Sequence, residues 1–85
     1  MQFHQFSILI TEPASFDELG DILGDMYKFL EKEESIASLD VVASQGFSIL
    51  LHVGTEENVS FQDIQLKVIE SFAETSRPAN NFMLV

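Results

Sequence analysis

Residues 36–44 and 47–53 alternate apolar and polar side chains on either side of Gln45 and Gly46, and a chain with this pattern has few ways to fold. Successive side chains of a strand point to opposite faces, so each segment predicts a strand with one apolar face. Glycine adopts positive φ at little cost, which suits a tight hairpin turn. The pattern therefore predicts an antiparallel hairpin. Its inward side chains are Ala37, Leu39, Val41 and Ala43, then Phe47, Ile49, Leu51 and Val53.

The rest of the chain supplies two strands and two helices. Residues 3–11 are rich in β-branched and aromatic side chains and stop at Glu12-Pro13, and residues 82–85 predict a short last strand. Ser15 with Glu18 fits a capping box for a helix ending near Glu33 or Glu34, and Ser60 can cap a second helix after a loop over residues 54–58. Spacings of three and four predict the buried stripes. These are Phe16, Leu19, Ile22, Leu23, Met26, Phe29 and Leu30, then Phe61, Ile64, Val68, Ile69 and Phe72.

The resulting order, β-α-β-β-α-β, predicts an α+β ferredoxin-like fold over a single domain, residues 1–85. Right-handed crossovers place both helices on one face of a four-stranded antiparallel sheet. The other face is then bare and mixes apolar with polar side chains. Its members are Gln5, Ser7, Leu9, Ser38, Asp40, Val42, Ser48, Leu50 and His52. Leu9, Val42, Leu50 and His52 form a candidate homodimer face, which Leu50→Lys is expected to disrupt.

Composition narrows the class of partner. Fourteen acidic residues against four basic ones give a net charge of -10, which argues against direct nucleic-acid binding, because phosphate contacts need Lys and Arg. No apolar run approaches the roughly 20 residues of a membrane helix. There is no cysteine and no basic signal-peptide start. A soluble, cytoplasmic protein is the expectation.

Motifs for enzyme chemistry are missing from the sequence. It contains no Gly-rich phosphate loop, nucleophile elbow, zinc-protease motif or EF-hand loop. His4 and His52 fall on neighbouring strands, but alternation places them on opposite faces of the sheet, so they are not expected to share a site. We therefore expect a protein without catalytic activity, metal or cofactor.

The acidic residues form three clusters. Asp17, Asp21 and Asp25 recur every four residues along the first helix, where they serve either solubility or a basic partner. Glu31, Glu33 and Glu34 follow it, and Glu56 and Glu57 precede the second helix. Gly20 and Gly24 lie beside the first line and indicate either close packing or a shallow notch for a partner. The predicted partner-binding residues are Asp17, Asp21, Asp25, Glu31, Glu34, Glu56 and Glu57.

The leading hypothesis for function is a non-enzymatic inhibitor that presents this acidic surface to a basic protein, as a nuclease or defence complex would offer. A toxin-immunity protein and a DNA-mimic or anti-CRISPR protein share this physics. Two alternatives remain. One is a small-molecule-binding regulatory module of the ACT type, although the loop over residues 11–15 lacks the expected glycine. The other is a structural or assembly subunit that dimerises through the bare sheet face.

Overall fold

The computed structural model describes residues 1–44 and 47–85, and its elements follow the predicted order. Strand β1 spans Gln2–Ile10, helix α1 Phe16–Glu31, strand β2 Ile36–Ser44 and strand β3 Ser48–Thr55. Helix α2 spans Phe61–Phe72, a 3-10 turn covers Ala79–Asn81, and strand β4 spans Phe82–Leu84. The predicted turn at Gln45-Gly46 and the side chain of Ala43 lie outside the described residues.

The four strands form one antiparallel sheet in the order β2-β3-β1-β4. The central pair, β1 and β3, aligns Phe6 with Leu51 and Ile8 with Ile49. This order and the two helices on one face confirm the ferredoxin-like α+β fold.

The core lies between the helices and one face of the sheet. Alternation places β1 and β3 side chains in it, and the three-and-four spacing adds one stripe from each helix. Its buried members are Phe6, Ile8, Ile10, Leu19, Ile22, Met26, Leu30, Ile49, Leu51, Val53, Ile64, Val68, Phe72 and Phe82. Phe72 also stacks on Phe82, with ring centroids 4.8 Å apart, which joins the end of α2 to the start of β4.

Both predicted serine caps are present. Ser15 Oγ accepts from the backbone N–H of Glu18 at 3.2 Å, and Ser60 Oγ accepts from that of Asp63 at 3.1 Å. Each satisfies a donor that a helix start would otherwise leave free. The predicted return contact from the Glu18 side chain is replaced by a pair with Arg77.

Three details of the predicted hairpin are wrong. Between Ile36 and Ser38 the register of β2 shifts by a bulge, so Ala37 is exposed rather than inward. Phe47 lies in the turn before β3 and is exposed, because the strand pairing begins at Ser48. Strand β3 also continues through Thr55, which is buried, where a loop was predicted from residue 54.

The predicted helical stripes are also too wide. Phe16 is 91% exposed, since side chains lean toward the helix N-terminus and a first-turn residue projects past the end of the packed surface. Phe61 is partly exposed for the same reason, although its ring stacks on Phe6 with centroids 5.0 Å apart. Ile69 directly follows the buried Val68 and is rotated out of the stripe. Helix α1 ends at Glu31, two or three residues earlier than expected.

Among residues 1–44 and 47–85, no helix combines the length and apolar character needed to cross a membrane.

Candidate interaction surface

The outer side of α1 carries the first acidic cluster. The helix packs Leu19, Ile22 and Met26 into the core, and Asp17 and Asp21 therefore face solvent on the opposite side. Four residues advance about 6 Å along a helix and also rotate it by about 40°. Asp25 is half-buried, so of the three carboxylates predicted to lie in line only Asp17 and Asp21 are exposed.

The fold brings the second and third acidic clusters to one end of the sheet. Ile36, the first residue of β2, lies opposite Thr55, the last residue of β3. The segment before β2 and the segment after β3 therefore leave the sheet side by side. Exposed carboxylates of both segments lie at this end, which we call the acidic end: Glu31, Glu34, Glu56 and Glu57.

Few of the exposed carboxylates on α1 and at the acidic end form an ion pair with another group of the described chain. Among the described residues, Lys67 pairs with Glu33 at 3.5 Å and with Glu70 at 3.6 Å, and the amino terminus of Met1 lies 3.5 Å from Glu57. The remaining ion pair joins Arg77 to Glu18, at the other end of the molecule. Asp17, Asp21, Glu31, Glu34 and Glu56 form no ion pair within this part of the chain. Their negative charge is directed at solvent.

Arg77 is the residue whose role the sequence did not reveal. Its Nε donates to Glu18 Oε2 at 2.8 Å and its Nη2 donates to Glu18 Oε1 at 2.7 Å, which is the bidentate geometry of strong Arg–carboxylate pairs. The same guanidinium donates to the carbonyls of Glu12 and Pro13. The Arg77 hydrogen bonds, with a smaller contribution from its charge, lower the pKa of Glu18 from its ordinary value. Glu18 is thus a structural carboxylate.

Gly20 and Gly24 do not pack against α2 or the sheet. A Cβ built at either position meets no atom within 4 Å. The close-packing explanation for these glycines is therefore wrong. They leave a low strip of bare backbone on α1, next to the exposed Asp17 and Asp21.

A shallow cleft opens between the end of α1 and the start of β2. Its volume is about 140 Å³, and it is open to solvent. The lining residues are Tyr27, Glu31, Ile36, Ala37, Ser38 and Leu39. The cleft adjoins the acidic end through Glu31, and its lining includes one carboxylate and one aromatic ring, two kinds of group that bind cationic side chains.

The two histidines are separated by the sheet. His4 Nε2 lies 3.1 Å from Thr55 Oγ1, and the Thr55 hydroxyl donates its hydrogen to the Glu56 carbonyl. His4 Nε2 is then the donor in this pair, which gives that nitrogen a structural partner. His52 lies on the bare face opposite Gln5 and Asp40. Within residues 1–44 and 47–85, no three potential metal ligands are grouped together.

The bare face has the members predicted for it. Across it, the register aligns Val42 with Leu50 and Leu50 with Ser7, while Leu9 lies opposite Ser48 and Met83. Val85 donates its backbone N–H to Ser7 at 2.9 Å and so extends this row. Phe3, Met83 and Val85 enlarge the apolar part beyond the predicted Leu9, Val42 and Leu50, and all three are more than half exposed. Strand alternation in the sequence could have assigned these three residues to the bare face, but they lie in the first and last few residues of the chain, where a strand pattern is short.

Comparison with family models, curated proteins and solved structures found no match to this chain.

Proposed function

We propose that this protein is a non-enzymatic binding protein that presents the exposed carboxylates of α1 and the acidic end to a basic surface of a partner protein. The observation that supports this most directly is the convergence of Glu31 and Glu34 with Glu56 and Glu57, which are far apart in sequence. Most of these groups form no intramolecular ion pair, so their charge is available to a partner.

The class of partner that fits this surface is a nucleic-acid-processing enzyme with a basic cleft. Such a cleft is built to hold phosphates, and an acidic protein that occupies it excludes the substrate. Association of this kind is fast at low salt and weakens as salt screens the charges. An inhibitor of a nuclease, whether a toxin or a defence enzyme, is the function proposed.

The experiment uses two variants of equal net charge. The first, Asp21→Asn/Glu31→Gln/Glu34→Gln, removes three carboxylates from the proposed surface. The matched control, Glu12→Gln/Glu70→Gln/Glu74→Gln, removes three from elsewhere. Partners are captured from nuclease-treated lysate of the source organism on the wild-type protein, and the affinity of the recovered partner is then measured for all three proteins.

An exposed ion pair contributes about 0.2–1 kcal/mol. Losing three should therefore weaken binding by roughly three- to a hundredfold in the first variant. The control should bind nearly as well as the wild type. Equal losses in the two variants, or a partner retained unchanged at high salt, would show that general charge or another surface is responsible.

A further inference from the structure

We propose that the bare face of the sheet is a self-association surface, which packs against the same face of a second copy of this chain. The surface lies on the side of the sheet away from both helices, and it contains none of the carboxylates of the acidic partner surface. It consists of Phe3, Gln5, Ser7, Leu9, Ser38, Asp40, Val42, Ser48, Leu50, His52, Met83 and Val85.

The distribution of charge is the first reason. The chain carries fourteen acidic and four basic residues, yet the four strands together contain only one of them, Asp40. Asp40 lies opposite His52 in the register, so the one carboxylate has an imidazole on the neighbouring strand. Two copies of a protein with a net charge of -10 repel each other on almost any other approach. The bare face is where that repulsion is smallest.

Composition is the second reason. Interfaces of proteins that also exist free are about as apolar as ordinary surface, but their centres are depleted of charge and enriched in aromatic residues and methionine. The bare face has this composition: half of its residues are apolar, they include Phe3 and Met83, and its one acidic side chain is Asp40. Phe3 is 74% exposed and Val85 76% exposed, which leaves large apolar areas in contact with water.

The available area fits a second copy. Strands about 4.8 Å apart and residues about 3.4 Å apart give a four-stranded face of about 500 Å². Two such faces bury about 1,000 Å², which is the threshold for a biological interface and the size of a weak, transient one. A two-fold axis brings the same patch of both copies together, so no other molecule is required. The dimer is therefore reversible, and its population rises with protein concentration.

Two double variants with the same change of charge test the proposal. Val42→Lys/Met83→Lys places two lysines on the bare face, at side chains that are each 52% exposed. Leu66→Lys/Ile69→Lys places two on the outer side of α2, at side chains 55% and 45% exposed. All four positions are partly open to solvent, so neither variant empties the core. Both have the same net charge, so electrostatic repulsion changes equally.

Sedimentation equilibrium over a micromolar to millimolar range gives the oligomeric state. The wild type and the α2 variant should rise together from 9.6 kDa toward twice that mass. The bare-face variant should dimerise about tenfold or more weakly, a shift of about 1.4 kcal/mol or more. The wild-type dimer should strengthen between about 0.15 M and about 1 M salt, because the Debye length falls from about 8 Å to about 3 Å.

NMR spectra of the wild type give a readout that needs no substitution. The side-chain signals of Phe3, Met83 and Val85 should shift with protein concentration, while the signals of buried core side chains should not. A wild type that stays at 9.6 kDa throughout, a dimer weakened equally by both variants, or a dimer lost at high salt would each overturn the proposal. The salt response is opposite to that of the acidic partner surface, so the two proposals fail independently.

Discussion

Arg77 connects three parts of the chain through one guanidinium group. It pairs with Glu18 in the first turn of α1 and donates to carbonyls of the loop between β1 and α1, and its side chain is only 11% exposed. Because the partners are 59 residues apart in sequence, this contact fixes the segment after α2 against the start of α1. Removing either partner leaves a half-buried charge with no counterion.

The pH dependence of this pair follows from the lowered pKa of Glu18. A carboxylate whose pKa is lowered by folding stabilises the native state above its unfolded value of about 4.3, and this stabilisation is lost as the pH falls through the folded value. Glu18→Gln should therefore lower the Tm at pH 7, and the difference from the wild type should shrink in acid. Thermal unfolding by circular dichroism from neutral to acidic pH measures this, with Glu70→Gln as the exposed control. A difference that is constant with pH would contradict the assignment.

Gly54 is the glycine that the packing requires. A Cβ at this position would collide with Ser38 Oγ on β2 and would lie 3.0 Å from Met1 Sδ and 3.3 Å from a Phe3 ring carbon. Strand pairing holds the Ser38 backbone at this point, so its hydroxyl has to rotate away to relieve the contact.

Gly54→Ala should destabilise the fold by roughly 1–3 kcal/mol, the usual range for overpacking. Ser38→Ala removes the colliding oxygen, so the double variant should recover most of this loss, and the two substitutions should be strongly non-additive. Urea unfolding of the two single variants and the double variant gives the coupling. Simple additivity would mean that the strain arises elsewhere.

At the scale of elements, α1 combines a fully packed inner side with an outer side that stability alone does not explain. Glycine in a helix costs about 1 kcal/mol relative to alanine, and Gly20 and Gly24 have no packing role to offset that cost. Their position beside Asp17 and Asp21 suits the close approach of a partner's backbone or side chain.

Gly20→Ala and Gly24→Ala should each stabilise the protein by about 0.5–1 kcal/mol, in contrast to Gly54→Ala. If the strip of bare backbone contacts the partner, the same substitutions should weaken partner binding while the Tm rises. Chemical denaturation and partner affinity measured on the same samples separate the two effects. Greater stability with unchanged affinity would remove the glycines from the binding surface.

The elements show what could be predicted from sequence. Alternation and the three-and-four spacing act locally, so the strands, the helices, both serine caps and the members of the bare face were predictable. The bulge at Ala37 was not, because it depends on how β2 matches the end of β3. The exposure of Phe16 and Ile69 depends on where each helix meets the sheet. The pair between Arg77 and Glu18 and the convergence at the acidic end depend on the tertiary fold.

At the scale of the whole molecule, charge and apolar surface are separated. The carboxylates lie on helices and loops, whereas the strands carry a single one, Asp40. A net charge of -10 on a small folded chain opposes its own compactness, since unfolding lets like charges move apart.

The thermal stability of dilute, monomeric protein should therefore rise with salt. Between about 0.01 M and about 0.15 M ionic strength the Debye length falls from about 30 Å to about 8 Å, which screens most of this repulsion. The Tm of the wild type should increase over this range. It should increase less for Asp21→Asn/Glu31→Gln/Glu34→Gln, which has three fewer negative charges. A Tm that is independent of salt would show that the ion pairs of Lys67 and Arg77 already balance the repulsion.

The position of β1 at the centre of the sheet has a consequence for how the chain folds. Its partners are remote: Leu9 lies opposite Ser48, and Ile10 lies opposite Phe82. Strands β2 and β3 are the paired strands that follow each other directly in sequence, so forming their hairpin costs little chain entropy. Pairing of β1 requires a long loop to close, which costs more entropy. Folding should begin in the hairpin and finish when β1 is inserted between β3 and β4. The folding rate is then limited by the closure of loops that are dozens of residues long, as expected for a mixed domain of intermediate contact order.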